Sequence, residues 1–325
     1  MTEVNFYKIN DGLKECAKGN SFMLETNSYV ENLFRIILKN YYLYKNDKIE
    51  YKPLEISESI KKAGMIFKEI DSVLYDSFNN IITDKKHTTI TITKNRQSYV
   101  DGEKIFLNLT NTSRDIIEII HESIHKVFNP KIYKIEEVKH IIRLFFNELN
   151  SITFERIAND KLDIDKDKFL YERFISDMEK SIFYMFYNFV FKIYLKRGNV
   201  NIDIIKEEIN NIQDLLLKQI FIENLDDNIV KLEYNSEYLA KFQVQISRYI
   251  IASVLSASIY KNIKDGKMTY KDCISKMEEL NNINNYMEGL DLFGLNYIKS
   301  NNVLEQLDYN YNKSCELLAE SRNRW

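Results

Sequence analysis

The chain has 325 residues and a formal net charge of −3, from 45 basic and 48 acidic side chains interspersed along its length. It therefore offers no clustered basic face of the kind that nucleic acid requires. Cys16, Cys273 and Cys315 form an odd, widely separated set without C-x-x-C spacing, and Met1-Thr2-Glu3-Val4-Asn5 lacks a charged-then-apolar leader, so a reducing cytoplasm is the expected compartment.

Only eight glycines and two prolines interrupt the chain, and no linker shows in its composition. In chain order, apolar periodicity predicts helices over Phe22–Asn46 and Ile56–Ile82, then three strand-like segments, Thr88–Lys94, Ser98–Val100 and Lys104–Thr110. Helices resume over Ser113–Phe128, Ile135–Asp160, Asp167–Arg197, Ile202–Ile222 and Glu237–Lys264, with three shorter ones up to Glu320. The apolar run Phe183–Leu195 is broken by Asn188 and Lys192 and falls short of the ~20 residues that span a bilayer, so no membrane segment is expected. These elements predict a mostly α protein with one small sheet. Residues 1–86 read as an N-terminal helical region and 87–325 as a catalytic region, the two forming one continuous unit.

The residues that carry chemistry are His121-Glu122-Ser123-Ile124-His125. On a helix, side chains at i and i+4 share one face, so the two imidazoles can hold a single ion. Glu122 stands beside that ion, placed to take a proton from a zinc-bound water and pass it to a leaving amine. The flanks support a helix: Thr112 or Ser113 can cap it, Asp115 suits its first turn, Ile116, Ile117, Ile120, Ile124 and Val127 form an apolar stripe, and Pro130 ends it.

Two histidines do not complete a catalytic zinc site, and the candidate third ligand is Glu148 on the next predicted helix. Glu148, Ser151 and Glu155 fall at i, i+3 and i+7, on one side of that helix. A carboxylate beside Phe145, Phe146 and Leu149 needs a partner, which an ion supplies; the alternative is a solvated glutamate on a helix edge. His140 lies about two turns from Glu148 and reads as structural or surface, and His87 has no evident partner.

These residues resemble the zinc oligopeptidases that include oligoendopeptidase F and thimet oligopeptidase. That family carries H-E-x-G-H followed further along the chain by E-x-x-S-x-x-x-E, and Glu148-Leu149-Asn150-Ser151-Ile152-Thr153-Phe154-Glu155 fits the second pattern. The resemblance implies a zincin-like helical body with a small sheet beside the zinc helix, and one Zn2+ per chain. It implies His121, His125 and Glu148 as ligands, Glu122 as general base, and Ser151 and Glu155 as supporting residues.

Upstream, Arg96-Gln97-Ser98-Tyr99 and Ile105-Phe106-Leu107-Asn108-Leu109 look like the family's two strands before the zinc helix. The second of these, at Leu107, Asn108 and Leu109, is expected to be an edge that pairs with substrate backbone. The chain departs from the family at Ile124, where Gly is usual, and at Phe128, where a further His is usual. It departs again in the late aromatic segment Tyr238–Tyr249, which contains no histidine. Tyr249 aligns with a family tyrosine that stabilises the tetrahedral intermediate, Gln245 and Ser247 replace others, and Arg248 and Tyr238 are substitutes for the missing donors.

The expected activity is hydrolysis of oligopeptides, or of one dedicated peptide, by a zinc metallopeptidase. The alternative is a catalytically weak peptide-binding protein that keeps the fold. Family enzymes are much longer, so either the cleft here is more open or a second subunit supplies the missing wall in a homodimer.

Overall fold

Helices build nearly all of the computed structural model, which describes residues 4–19, 32–41, 49–93, 97–128, 137–283, 286–294 and 301–322. In order they are α1 (Phe6–Gly19), α2 (32–38), α3 (Ile56–Ile70) and α4 (Ser72–Thr83), then, after a three-stranded sheet, α5 (Arg114–Phe128), α6 (Glu137–Lys161) and α7 (Lys166–Arg197). There follow α8 (Ile202–Asn210), α9 (Leu215–Glu223), α10 (Leu225–Tyr234), α11 (Leu239–Lys264), α12 (Tyr270–Glu279), α13 (Tyr286–Leu292) and α14 (Asn301–Arg322). Among the described residues no helix is long and apolar enough to cross a membrane. The chain forms two compact units, Met1–Tyr41 with Ser176–Ile251 and Tyr42–Ile175 with Ala252–Trp325. Their division runs through α7 and α11, where composition does not change.

The predicted helix Ile56–Ile82 is in fact two, and Asp71 is the reason. Its backbone is extended, at φ −162° and ψ 135°, and its carboxylate accepts hydrogen bonds from the Val73 and Leu74 N–H groups, so it starts α4 as an N-cap. Asp214 divides the predicted Ile202–Ile222 helix in the same way, accepting from Leu217 N at the start of α9. Helices α1 and α10 were not anticipated. Of the predicted Phe22–Asn46 helix only 32–41 is described, and it is helical over 32–38.

Within the first unit, Ile9 and Leu13 of α1 are fully buried, and Asn10 exchanges two hydrogen bonds with the backbone of Val200. Phe34 of α2 meets Tyr184 edge-on at 4.5 Å between ring centroids, and Phe186 meets Phe221 at 5.5 Å.

The second unit holds the sheet and both spaced motifs, His121–His125 and Glu148–Glu155. Strand order is β1 (Thr88–Ile92), β3 (Lys104–Leu109), β2 (Tyr99–Asp101), with β1 parallel and β2 antiparallel to β3. Gly102, at φ 59°, opens the two-residue turn between β2 and β3, a position that favours a residue without Cβ. Ile105, Leu107 and Leu109 alternate along β3 and are all buried against α5.

This order corrects one expectation. Leu107, Asn108 and Leu109 lie on the central strand, not on an edge. Ile90, Thr91 and Ile92 pair with them on one side; on the other, Asn108 N donates to Ser98 Oγ at 2.9 Å and Asn108 Nδ2 to the Gln97 carbonyl at 2.7 Å. Backbone pairing on both sides of β3 leaves β1 and β2 as the outer strands.

Helix α5 packs its apolar stripe, Ile116, Ile119, Ile120, Ile124 and Phe128, against the sheet and the neighbouring helices, all at 3% exposure or less. Phe78, Phe67, Phe154 and Phe128 form a chain of ring contacts from α4 through α3 and α6 to α5, with centroids 4.9 to 6.4 Å apart. The start of α5 is fixed by Asp115. Its buried carboxylate accepts from Thr110 N, Thr110 Oγ1 and Thr112 N, while Ser113 Oγ turns away to donate to Asp165. At the far side of α6, Gly289 of α13 lies so close to the Phe146 ring that a methyl group would overlap it.

Two substitutions test this packing by denaturant unfolding. Asp71→Ala is expected to cost about 1 kcal/mol through the lost cap. Gly289→Ala is expected to cost about 1–3 kcal/mol, because Phe146 is held in a closed core.

Candidate metal centre

His121 and His125 project from α5 toward α6, where Glu148, Ser151 and Glu155 face them. The sequence spacing places each set on one side of its helix, and the packing of the two helices brings the sides together. His125 Nδ1 lies 2.9 Å from Ser151 Oγ, and His121 Nδ1–H donates to Glu155 Oε1 at 2.5 Å. These bonds engage both Nδ1 atoms and leave both Nε2 atoms pointing at one spot.

The two Nε2 atoms are 2.9 Å apart, and Glu148 Oε2 lies 3.9 Å from each. The point equidistant from these three atoms is about 2.1 Å from each, within the ~2.0–2.2 Å that zinc keeps to imidazole nitrogen and carboxylate oxygen. Glu122 also offers an oxygen within 4.8 Å of the imidazole nitrogens, and its Oε2 is buried with no hydrogen-bond partner among the described residues. Two imidazole nitrogens this close beside two buried carboxylates favour a shared positive charge, so the donor set fits a zinc-sized ion.

The electrostatics agree. Burial, the largest influence on His121, opposes its protonation, but the charge and hydrogen bond of Glu155, with Glu122 and Glu148 adding, raise its pKa to about 9. Burial raises that of Glu122 to about 7. Glu155 is pulled down to about 2: burial works the other way, but Arg173 and His121 prevail. Arg173 of α7, with Nη1 3.6 Å from Glu155 Oε2, is a supporting residue that sequence reading missed. Its signal was a lone guanidinium in the apolar run Phe169-Leu170-Tyr171-Glu172-Arg173-Phe174, a charge that must find an acid when buried.

The remaining expectations divide. His87 does have a partner: its Nδ1 lies 2.7 Å from Asp84 Oδ2. Tyr249 belongs to the first unit, where Lys180 Nζ stands 4.8 Å from its ring centroid. The side chains of Cys16, His140, Tyr238, Gln245, Ser247 and Arg248, together with Arg96, lie outside the described residues. Cys273 and Cys315 are buried free thiols.

No family model and no curated protein matches the sequence. Solved structures do. Over 98% of its length the chain is similar to a protein described as an oligoendopeptidase F from Bacillus anthracis, with 13% identity and a TM-score of 0.58, covering 57% of that chain. It is similar over 98% of its length to a protein described as a peptidase from Chlamydophila abortus, with 14% identity and a TM-score of 0.57, covering 56% of that chain. Over 96% of its length it is similar to PZ peptidase A, solved with an inhibitor, with 14% identity and a TM-score of 0.52, covering 59% of that chain. The chain thus spans less than three fifths of the length of these structures. The fold is the mostly helical, zincin-like fold of the oligoendopeptidase F type, and the resemblance carried by the two motifs extends along the whole chain.

Two measurements probe the centre. Glu155→Gln is expected to weaken metal binding by about 10–100-fold while the protein stays folded, read by competition with a chelator. In metal-free protein, the raised His121 pKa contributes stability that is full below the unfolded value of 6.5 and is lost as pH rises through about 9. Its Tm should therefore fall from pH 6.5 to 9, and saturating zinc, which takes the place of the proton, should remove that fall.

Proposed function

We propose that this chain is a zinc-dependent peptidase that hydrolyses oligopeptides or one dedicated peptide. The observation that carries the reading is the convergence of His121 Nε2, His125 Nε2 and Glu148 Oε2 on one point, with both Nδ1 atoms tied to α6. His121, His125 and Glu148 would hold the ion, one per chain. Bound there, zinc would supply Lewis acidity to polarise the scissile carbonyl and acidify water.

The chain's own groups do the rest. Glu122, buried and with an oxygen that has no hydrogen-bond partner among the described residues, takes the proton of the attacking water and returns it to the leaving nitrogen; a carboxyl held near neutral pH suits both directions of transfer. Ser151 and Glu155 hold the imidazoles in the tautomer that leaves Nε2 free. The outer edge of β2 replaces β3 as the strand that aligns an extended peptide, because residue 98 at its entry is hydrogen-bonded to α5 one turn before the ligands.

The test is zinc content together with cleavage of a mixed peptide library, for the native protein and Glu122→Gln. One zinc per chain in both, with cuts that drop by about 10²–10⁴-fold in the variant, is the expected result. Zinc without cleavage in either protein would turn the reading to a peptide-binding role.

A further inference from the structure

On α5, Glu118 lies at i−3 from His121, i−4 from Glu122 and i−7 from His125, so it shares the face that carries the site. It is not part of the zinc motif, and its side chain is 20% exposed. Its Oε1 accepts a hydrogen bond from Ser98 N at 3.3 Å, at the entry to β2. Its Oε2 faces Arg114 Nη1 at 3.5 Å, and Arg114 Nε donates to both oxygens of Glu172, at 3.1 and 3.3 Å. Tyr51 Oη completes the line by donating to Glu172 at 2.7 Å. A polar relay thus runs from the segment before α3, through α7 and the first turn of α5, to the backbone of the outer strand.

Ser98 is fixed from both sides. Its N–H goes to Glu118 and its Oγ accepts from Asn108 N of β3, while the ladder between β2 and β3 spans only Tyr99, Val100 and Asp101. With so short a ladder, the position of 97–98 relative to the metal helix rests on side chains, and Glu118 is the one that reaches it from α5 itself.

We infer that Glu118 is a positioning residue that couples the substrate-aligning edge of β2 to the ligand-bearing face of α5, setting where an extended peptide lies relative to His121 and Glu122. This rests on the peptidase reading. A peptide paired on β2 advances ~3.3–3.4 Å per residue, so a strand free to drift by a fraction of that distance loses alignment with the reacting centre. The role concerns binding and alignment of the peptide and leaves the ion alone, because Glu118 touches none of the three ligands.

The experiment compares native protein, Glu118→Ala and Glu118→Gln, all zinc-loaded. Amide exchange at Ser98 is followed by NMR, and KM and kcat are measured on a fluorogenic peptide chosen from library sequences that the native protein cuts. Expected in Glu118→Ala are unchanged zinc content, Ser98 exchange faster by about tenfold, and KM raised about fivefold or more with kcat within about twofold. Glu118→Gln keeps an acceptor for Ser98 N–H and should restore both values most of the way. Unchanged Ser98 exchange, an unchanged KM, or loss of zinc in Glu118→Ala overturns the inference. Should the native protein cut no peptide, the peptidase reading fails and the substrate half of the inference falls with it. The Ser98 exchange then still decides the coupling of strand to helix.

Discussion

Two imidazole Nε2 atoms 2.9 Å apart, facing each other across the site, form the contact on which the rest of the second unit depends. Such an arrangement is repulsive unless a positive charge sits between the rings. Both rings are held in it by bonds at their far nitrogens, from Ser151 and Glu155, so neither can turn away. The packing of α5 on α6 serves to keep these two bonds short. The phenylalanine contacts from Phe78 to Phe128 and the buried leucines and isoleucines of both helices give that packing its rigidity.

Placing Glu122, Glu148 and Glu155 in a nearly closed space carries a desolvation cost that apolar packing cannot offset by itself. The structure distributes the compensating charge. Arg173 faces Glu155, Glu155 faces His121, and the ligand point faces Glu148. Glu122 is left with burial as its dominant influence and so holds its proton near neutrality, unlike Glu155 a helix away. Two carboxylates of the same type thus acquire opposite tendencies from their surroundings, one raised by burial and one lowered by Arg173 and His121.

Similarity of fold at 12 to 14% identity is what this economy leads one to expect. The centre constrains a handful of positions: two histidines and a glutamate on α5, and a glutamate, a serine and a second glutamate on α6. Elsewhere an apolar side chain of suitable size is enough, which is why Ile124 can stand inside the motif where a smaller residue is usual, fully buried among its neighbours.

The sequence by itself determined the centre and the helices that carry it. The i, i+4 histidines, and the carboxylate, hydroxyl and carboxylate at i, i+3 and i+7, are local facts of helix geometry, and the structure brings all of them to one place. Local chemistry also explains the helices read as too long: Asp71 and Asp214 are ordinary polar residues in a periodic pattern until the chain turns extended and their carboxylates become caps. Strand order, the pairing of Arg173 with Glu155 and the link from Glu118 to Ser98 were decided only by the tertiary structure. Alternation along β3 tells which face is buried and is silent on how many neighbours its edges acquire, since edge hydrogen bonds are made by backbone that every residue shares. The two long-range contacts likewise depend on which elements lie side by side, α7 beside α6 and the entry of β2 beside α5. The separation into two units, which cuts α7 and α11 in mid-helix, has no compositional signal because both helices continue through the cut with apolar and polar residues mixed on either side of it.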